Sequence, residues 1–113
     1  MHYKSITQQD IEVLKGICKN GEVLCGKEIH EDYSHDELHG LVKYPAVLIE
    51  PRTVEEISSI IKYALKERIP VTPRGLGTGL VGGCVSLYEG ILLTMQEMNS
   101  ILELDRENLT LTV

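Results

Sequence analysis

Arg74-Gly75-Leu76-Gly77-Thr78-Gly79-Leu80-Val81-Gly82-Gly83 puts five glycines into ten residues, with one arginine and one threonine among them. Glycine allows positive φ and lacks the Cβ that would hold a ligand off the main chain, so successive backbone N–H groups can turn toward one anion. The arginine adds a charge and the threonine a hydroxyl. The chemistry on offer is phosphate binding by local geometry. A tight turn that serves only packing is the plainer reading, but so many glycines beside a strand signal ask for close approach to something.

The elements around the loop must hold it. Pro45-Ala46-Val47-Leu48-Ile49-Glu50-Pro51 is an apolar run between two prolines, as in a short strand buried on both faces. Thr53-Val54-Glu55-Glu56 is a capping box, and Val54, Ile57, Ile60, Ile61, Ala64 and Leu65 follow along one helical face. Lys66 and Arg68 suit the negative end of that helix. Pro70-Val71-Thr72-Pro73 reads as a second strand, parallel to the first across a right-handed crossover. The glycine loop comes next, at the carboxyl end of a parallel strand, where ligands of open α/β sheets bind. Gly90 to Met95 forms a third strand.

Upstream, Thr7-x-x-Asp10 opens a helix carrying Ile11, Leu14, Ile17 and Cys18, which should close at Asn20-Gly21 with glycine as a left-handed cap. Residues 22–43 hold the short apolar piece Val23-Leu24-Cys25 and otherwise read as polar loop. Downstream, Ile101-Leu102-Glu103-Leu104 and Leu109 to Val113 flank the turn-forming Asp105-Arg106-Glu107-Asn108, a hairpin pattern. The fold class is α+β: a small βαβ subdomain with short parallel strands and flanking helices, then the start of a second, antiparallel subdomain. The chain divides at 1–44 (helix and loop), 45–95 (the βαβ unit with its loop) and 96–113. Because it stops inside an alternating strand, it reads as cut short, and the open strand edge at Val113 is expected to pair with another copy.

Three phosphate-binding patterns compete for the loop. The nucleotide P-loop requires Gly-Lys-Ser/Thr at its end, whereas after Gly77 and four further residues comes Gly82-Gly83-Cys84, without the lysine. Gly77-Thr78-Gly79-Leu80-Val81-Gly82 does match the dinucleotide fingerprint Gly-x-Gly-x-x-Gly, a weak signal alone. That fingerprint should open a helix leading to the next parallel strand, yet only Cys84 to Glu89 separate Gly83 from Gly90, too few to fit one. A Rossmann site is therefore disfavoured.

Composition removes other classes. A net charge of −6, with no Trp and no Phe, opposes both bulk attraction to nucleic acid and stacking on bases. No apolar run reaches the roughly 18 residues of a membrane span, and Met1-His2-Tyr3-Lys4-Ser5 lacks the apolar core of a signal peptide, so the cytosol is the expected compartment. Cys18, Cys25 and Cys84 are odd in number and form no Cys-x-x-Cys, which favours reduced structural thiols. His35 and His39, with His30 upstream and Asp36 and Glu37 beside them, could in principle bind zinc or iron, but a solvated acidic loop explains them and no metal is assigned. No acidic pair falls at a common site, so no catalytic acid or base is named.

From Tyr33 onward the chain resembles the FAD-binding domain of the vanillyl-alcohol oxidase and p-cresol methylhydroxylase family. The resemblance rests on Pro45-Ala46-Val47, Pro51-x-Thr53-Val54-Glu55-Glu56-Ile57 and Ile69-Pro70-Val71-Thr72-Pro73-Arg74-Gly75-x-Gly77-Thr78-Gly79-Leu80-x-Gly82-Gly83, in that order. Met98-Asn99-x-Ile101 with Asp105 is similar to the branch of D-lactate dehydrogenases and glycolate oxidases. The resemblance implies that Gly75, Leu76, Gly77, Thr78 and Gly79, and again Gly83 and Cys84, contact the FAD pyrophosphate, with Arg74 as a neighbour. Cys84 stands where the family commonly has alanine or serine. No histidine occurs between Arg74 and Gly83, so attachment at this loop should be non-covalent. Tyr33-Ser34-His35-Asp36 falls where the family often has a tyrosine and an aspartate, which suggests a structural role there. The rest of the FAD domain and the substrate domain are expected elsewhere, so this piece should not turn over alone. The implied whole enzyme oxidises a D-2-hydroxy acid and passes electrons to a partner acceptor. The competing classes are a non-catalytic nucleotide- or phosphate-binding module and a purely structural fragment.

Overall fold

A computed structural model describes residues 3–38, 40–79 and 82–113. His39 of the histidine cluster, and Leu80 and Val81 of the glycine loop, lie outside the described residues. Four short strands form one sheet: β1 (Glu22–Cys25), β2 (Val47–Glu50), β3 (Val71–Arg74) and β4 (Ile91–Thr94), in the order β1-β2-β4-β3. β2, β4 and β3 run parallel, while β1 pairs antiparallel with β2, Val23 opposite Ile49 and Cys25 opposite Val47. The strands joined by the helical crossover are thus parallel but not neighbours, because β4 lies between them. β3, on the sheet edge, can carry Pro73, since an edge strand leaves one side of its backbone without ladder partners.

Strand alternation divides the core. Val47, Ile49, Ile91 and Leu93 face helices α1 (Gln8–Ile17) and α2 (Val54–Glu67), packing with Leu14, Cys18, Ile60, Ala64 and Ile69. Leu48 and Leu92 face the other way, against Ile29, Leu24 and Tyr33. Burial on both faces is why β2 and β4 are continuously apolar. The region from residue 22 to 43, expected to be mostly loop, supplies the edge strand β1 and two short 3-10 turns, Gly26–Glu28 and Glu31–Ser34, that cover the second face.

Both helices start at the capping boxes seen in the sequence, Thr7 with Asp10 and Thr53 with Glu56. The end of α1 differs from expectation. The helix stops at Ile17 with Cys18 as its cap, and Gly21 is not among the residues of positive φ. Its lack of a side chain serves close packing instead: a Cβ there would collide with the Glu50 carbonyl at the end of β2. α2 ends on Arg68 in the left-handed conformation.

No helix is long and apolar enough to cross a membrane among the described residues. A separate ribbon, β5 (Glu103–Asp105) with β6 (Thr110–Thr112), pairs antiparallel with Leu104 opposite Leu111. Asp105 builds its turn by accepting the N–H groups of Glu107 and Asn108, both at 3.1 Å.

Candidate functional site

The loop leaves β3 at Arg74 and returns at β4 without an intervening helix among the described residues. Parallel pairing of β3 with β4 brings Arg74 level with Thr94, so the loop and the residues after β4 share the carboxyl edge of the sheet. Gly75 and Leu76 line a cavity of about 500 Å³ with Met95, Gln96 and Asn99. A second cleft of about 340 Å³ adjoins it, sharing Leu76 and Gln96 and adding His30, Asp32, Tyr33 and Arg74.

The residues expected at the cofactor fall into two groups. Gly75, Leu76, Thr78, Gly79 and Gly83 are exposed, and Gly77 and Cys84 half-buried. A Cβ built on Gly75 or Gly83 would meet nothing within 4 Å, so the chain leaves open space there. Among the described residues the backbone N–H groups of Leu76, Gly77, Thr78 and Gly79 have no acceptor. Open space and free donors on one exposed turn are what a pyrophosphate requires, so these residues fit the group.

Arg74 belongs to the second group. Its side chain is buried under the loop: Nη2 donates to the Asp32 carbonyl at 2.6 Å, Nη1 approaches the Cys84 sulfur at 3.8 Å, and the guanidinium lies 5.5 Å from the Tyr33 ring centre. Gly77, at φ +76°, lies so close above it that a Cβ would overlap the guanidinium. Arg74 therefore props the turn from behind, and its charge sits beneath the place where an anion would rest.

The neighbouring polar groups include Tyr33, Glu50 and Gln96. The Tyr33 hydroxyl lies 3.1 Å from Gln96 Oε1 and 3.4 Å from Glu50 Oε1, its one proton serving either. Burial, with the Glu50 carboxylate beside it, raises the Tyr33 pKa, and burial, with the charges of Glu22 and Glu97, raises that of Glu50. The hydroxyls of Ser86 and of Thr94, the last residue of β4, are buried without a partner among the described residues. No three His, Cys, Asp or Glu side chains gather as metal ligands would among the described residues. His30 and His35 bond locally, His30 to the Asp32 N–H and His35 to the Asp36 carbonyl.

Sequence reading named the loop, gave Tyr33 and Asp36 a structural role by resemblance, and did not assign Met95, Gln96 or Asn99 to the site. Gln96, Met95 and Asn99 line the cavity from beyond β4, and Asp36 reaches the loop from the N-terminal region. For Met95, Gln96 and Asn99 the signal was position: residues just past a parallel strand end up at its carboxyl edge.

An exposed glycine-rich turn at the carboxyl edge of a small parallel sheet has the form of a nucleotide-binding module. Residues 45–113 match the family model described as FAD binding domain, and the chain belongs to that family. FAD is thus the cofactor of this domain. The chain is 41% identical over 113 residues to a D-lactate dehydrogenase from Anaerostipes hadrus, covering 98% of this chain and 23% of that protein. It is 43% identical over 81 residues to the glycolate oxidase subunit GlcD of Bacillus subtilis (strain 168), covering 72% of this chain and 17% of the relative. A solved structure, alkyldihydroxyacetonephosphate synthase, shares the fold with a TM-score of 0.79 at 20% identity, over 98% of this chain and 23% of that one. The chain thus spans about a quarter or less of the length of the proteins it matches.

Proposed function

We propose that this chain is the pyrophosphate-binding part of an FAD-dependent oxidoreductase that acts on D-2-hydroxy acids, in the manner of a D-lactate dehydrogenase or glycolate oxidase. The observation that carries this reading is the exposed turn Gly75–Gly79, whose N–H groups from Leu76 to Gly79 have no acceptor among the described residues and which has open space at Gly75, at the carboxyl edge of a sheet in an FAD-binding domain. The named relatives support the substrate class.

When bound, the flavin supplies the hydride-accepting chemistry. The residues of this chain bind and orient it. The N–H groups of Leu76 to Gly79 and the Thr78 hydroxyl hold the pyrophosphate, Gly75 and Gly83 let it approach the backbone, and Cys84 borders it through its main chain. Arg74 supports the turn and places positive charge beneath it. Without a histidine between Arg74 and Gly83, the hold at this loop is non-covalent. The whole of residues 1–113 is one part of the FAD domain, completed by chain outside it. That further chain supplies the substrate-binding groups and the contact to an electron acceptor, and the protein works in the cytoplasm.

The test continues the chain along its reading frame, reconstitutes it with FAD, and records its spectrum and its turnover. Bands near ~370 and ~450 nm that survive gel filtration but leave on denaturation, with D-lactate or glycolate reducing the flavin, are the expected result. No flavin uptake would sink the cofactor-loop assignment. Flavin uptake with no reduction by any D-2-hydroxy acid would remove the substrate class and leave the loop standing.

A further inference from the structure

Resting on the loop assignment above, we infer that residues 32–38, with Leu41, form a strap that preorganises the glycine loop from behind, with Asp36 as its positioning residue. The strap grips the loop at three places. At the root, Arg74 donates to the Asp32 carbonyl at 2.6 Å. In the middle, the Glu37 N–H donates to the Gly79 carbonyl at 2.9 Å. At the far end, Asp36 Oδ2 accepts the Gly82 N–H at 2.8 Å, while its Oδ1 accepts the Leu38 N–H at 2.8 Å.

One carboxylate therefore fixes both a turn of the strap and the return of the loop. Asp36 is buried, and a buried carboxylate is retained only where its oxygens are paired; here the partners are the backbone N–H groups of Leu38 and Gly82, with the Cys84 thiol also directed at Oδ2 from 3.9 Å. Gly82, at φ +77°, has the Leu41 side chain where its Cβ would stand, so strap and loop also meet in apolar contact.

The two sides of the loop are distinct. The Cβ direction of Gly79 points back at Asp36 Oδ2, 3.4 Å away, whereas those of Gly75 and Gly83 face open space. Asp36 lies behind the turn and touches no ligand. A glycine-rich loop that is disordered before binding must be frozen by the ligand, at a cost in affinity, and a strap that freezes it beforehand removes that cost. The negative charge of Asp36 does not help an anion, so its benefit is geometric.

That last point separates the strap from a charge effect. The measurements are FAD affinity by flavin fluorescence, amide hydrogen exchange at Gly82 without FAD, and thermal melting without FAD. They are made on the continued chain of the preceding test, as wild type, Asp36→Ala, Asp36→Asn and, as a control, Glu37→Ala, whose exposed side chain is not used. Asp36→Ala is expected to bind FAD about tenfold more weakly or worse, with faster exchange at Gly82. Asp36→Asn, keeping one acceptor oxygen, falls between, and Glu37→Ala matches the wild type.

A lower melting temperature with unchanged FAD affinity would overturn the proposal, leaving Asp36 a support of the fold alone. Tighter binding in both Asp36 variants would overturn it in favour of charge. If Asp36→Ala does not fold, Asp36→Asn against wild type decides by the same criteria. Failure of all four proteins to bind FAD would instead sink the loop assignment on which the strap rests.

Discussion

The guanidinium of Arg74 occupies the space where a Cβ on residue 77 would stand. Gly77 is held by this contact and by its φ of +76°, a region costly for side-chain-bearing residues. Gly75 has neither constraint. Gly77→Ala should therefore destabilise the protein without any ligand, by about 1–3 kcal/mol, and abolish FAD retention. Gly75→Ala should melt within about 0.5 kcal/mol of wild type and weaken FAD alone. Chemical denaturation without FAD, beside FAD titration, separates the two. Equal apo stability losses would show that the open side at Gly75 does not face the ligand.

Asp10 ties three parts of the molecule together. Its buried carboxylate accepts the Tyr63 hydroxyl at 2.6 Å and Lys4 Nζ at 2.8 Å, besides capping α1 through the Thr7 N–H at 2.9 Å. Burial alone would raise its pKa, but the bonds from Lys4, Tyr63 and Thr7 outweigh burial and hold it well below the usual carboxylate range. The same contact, with burial, pushes Tyr63 up to about 12. Because the folded pKa lies below the unfolded one, this stabilisation is complete above roughly pH 4 to 5 and drains away as the pH falls toward the folded value. Asp10→Asn should cost about 1.5–3 kcal/mol at neutral pH and much less near pH 2. Parallel acid-unfolding curves for wild type and variant would refute this account.

Glu56 does more than its place in a capping box announces. Its Oε1 accepts the N–H groups of Arg52 at 2.9 Å and Thr53 at 3.1 Å, and its Oε2 accepts that of Asn20 at 2.9 Å, from the turn after α1. Burial opposes ionisation, but these backbone bonds prevail and lower the pKa. Glu56→Gln keeps one acceptor and sets an amide N–H₂ against a backbone N–H. A loss of about 1–3 kcal/mol is expected, measured by urea unfolding at neutral pH. A loss no greater than that of Glu55→Gln, on the exposed side of the same turn, would show that the bridge to Asn20 contributes nothing.

The legible features of this fold are those that neighbouring residues write. Thr7 with Asp10, Thr53 with Glu56, the doubly buried run of β2 and the Asp105 turn are local patterns, and each formed where its residues predict. The strand order was not local: nothing in residues 71–94 says that β4 enters between β2 and β3, because that depends on which edge of β2 is free. β1 was hidden because three apolar residues amid polar ones are too few to show a period, and only pairing with β2 makes them a strand. The same limit divides the site. The glycines of the exposed turn are visible as a run, whereas the groups that hold them, Asp36 to Gly82 and Asp32 to Arg74, are joined across 46 and 42 positions.

The ribbon β5–β6 has no partner for its apolar side chains among the described residues. Leu104 and Leu111 face each other across the strands at 62% and 53% exposure, and Leu109 in the turn is 90% exposed. A two-stranded ribbon is marginal alone in water, and its outer edges offer unpaired N–H and C=O groups. In this chain by itself the ribbon is expected to pair with a second copy, giving concentration-dependent self-association in sedimentation velocity. Leu111→Lys, which places like charges opposite one another when two copies of β6 meet in antiparallel register, should return the chain to monomer without lowering the stability of the four-stranded sheet. Continuing the chain should have the same effect as the substitution if the added residues cover the ribbon. Self-association that persists unchanged in Leu111→Lys would move the contact elsewhere, first to the sheet edge at β1, where Val23 and Leu24 are only partly buried.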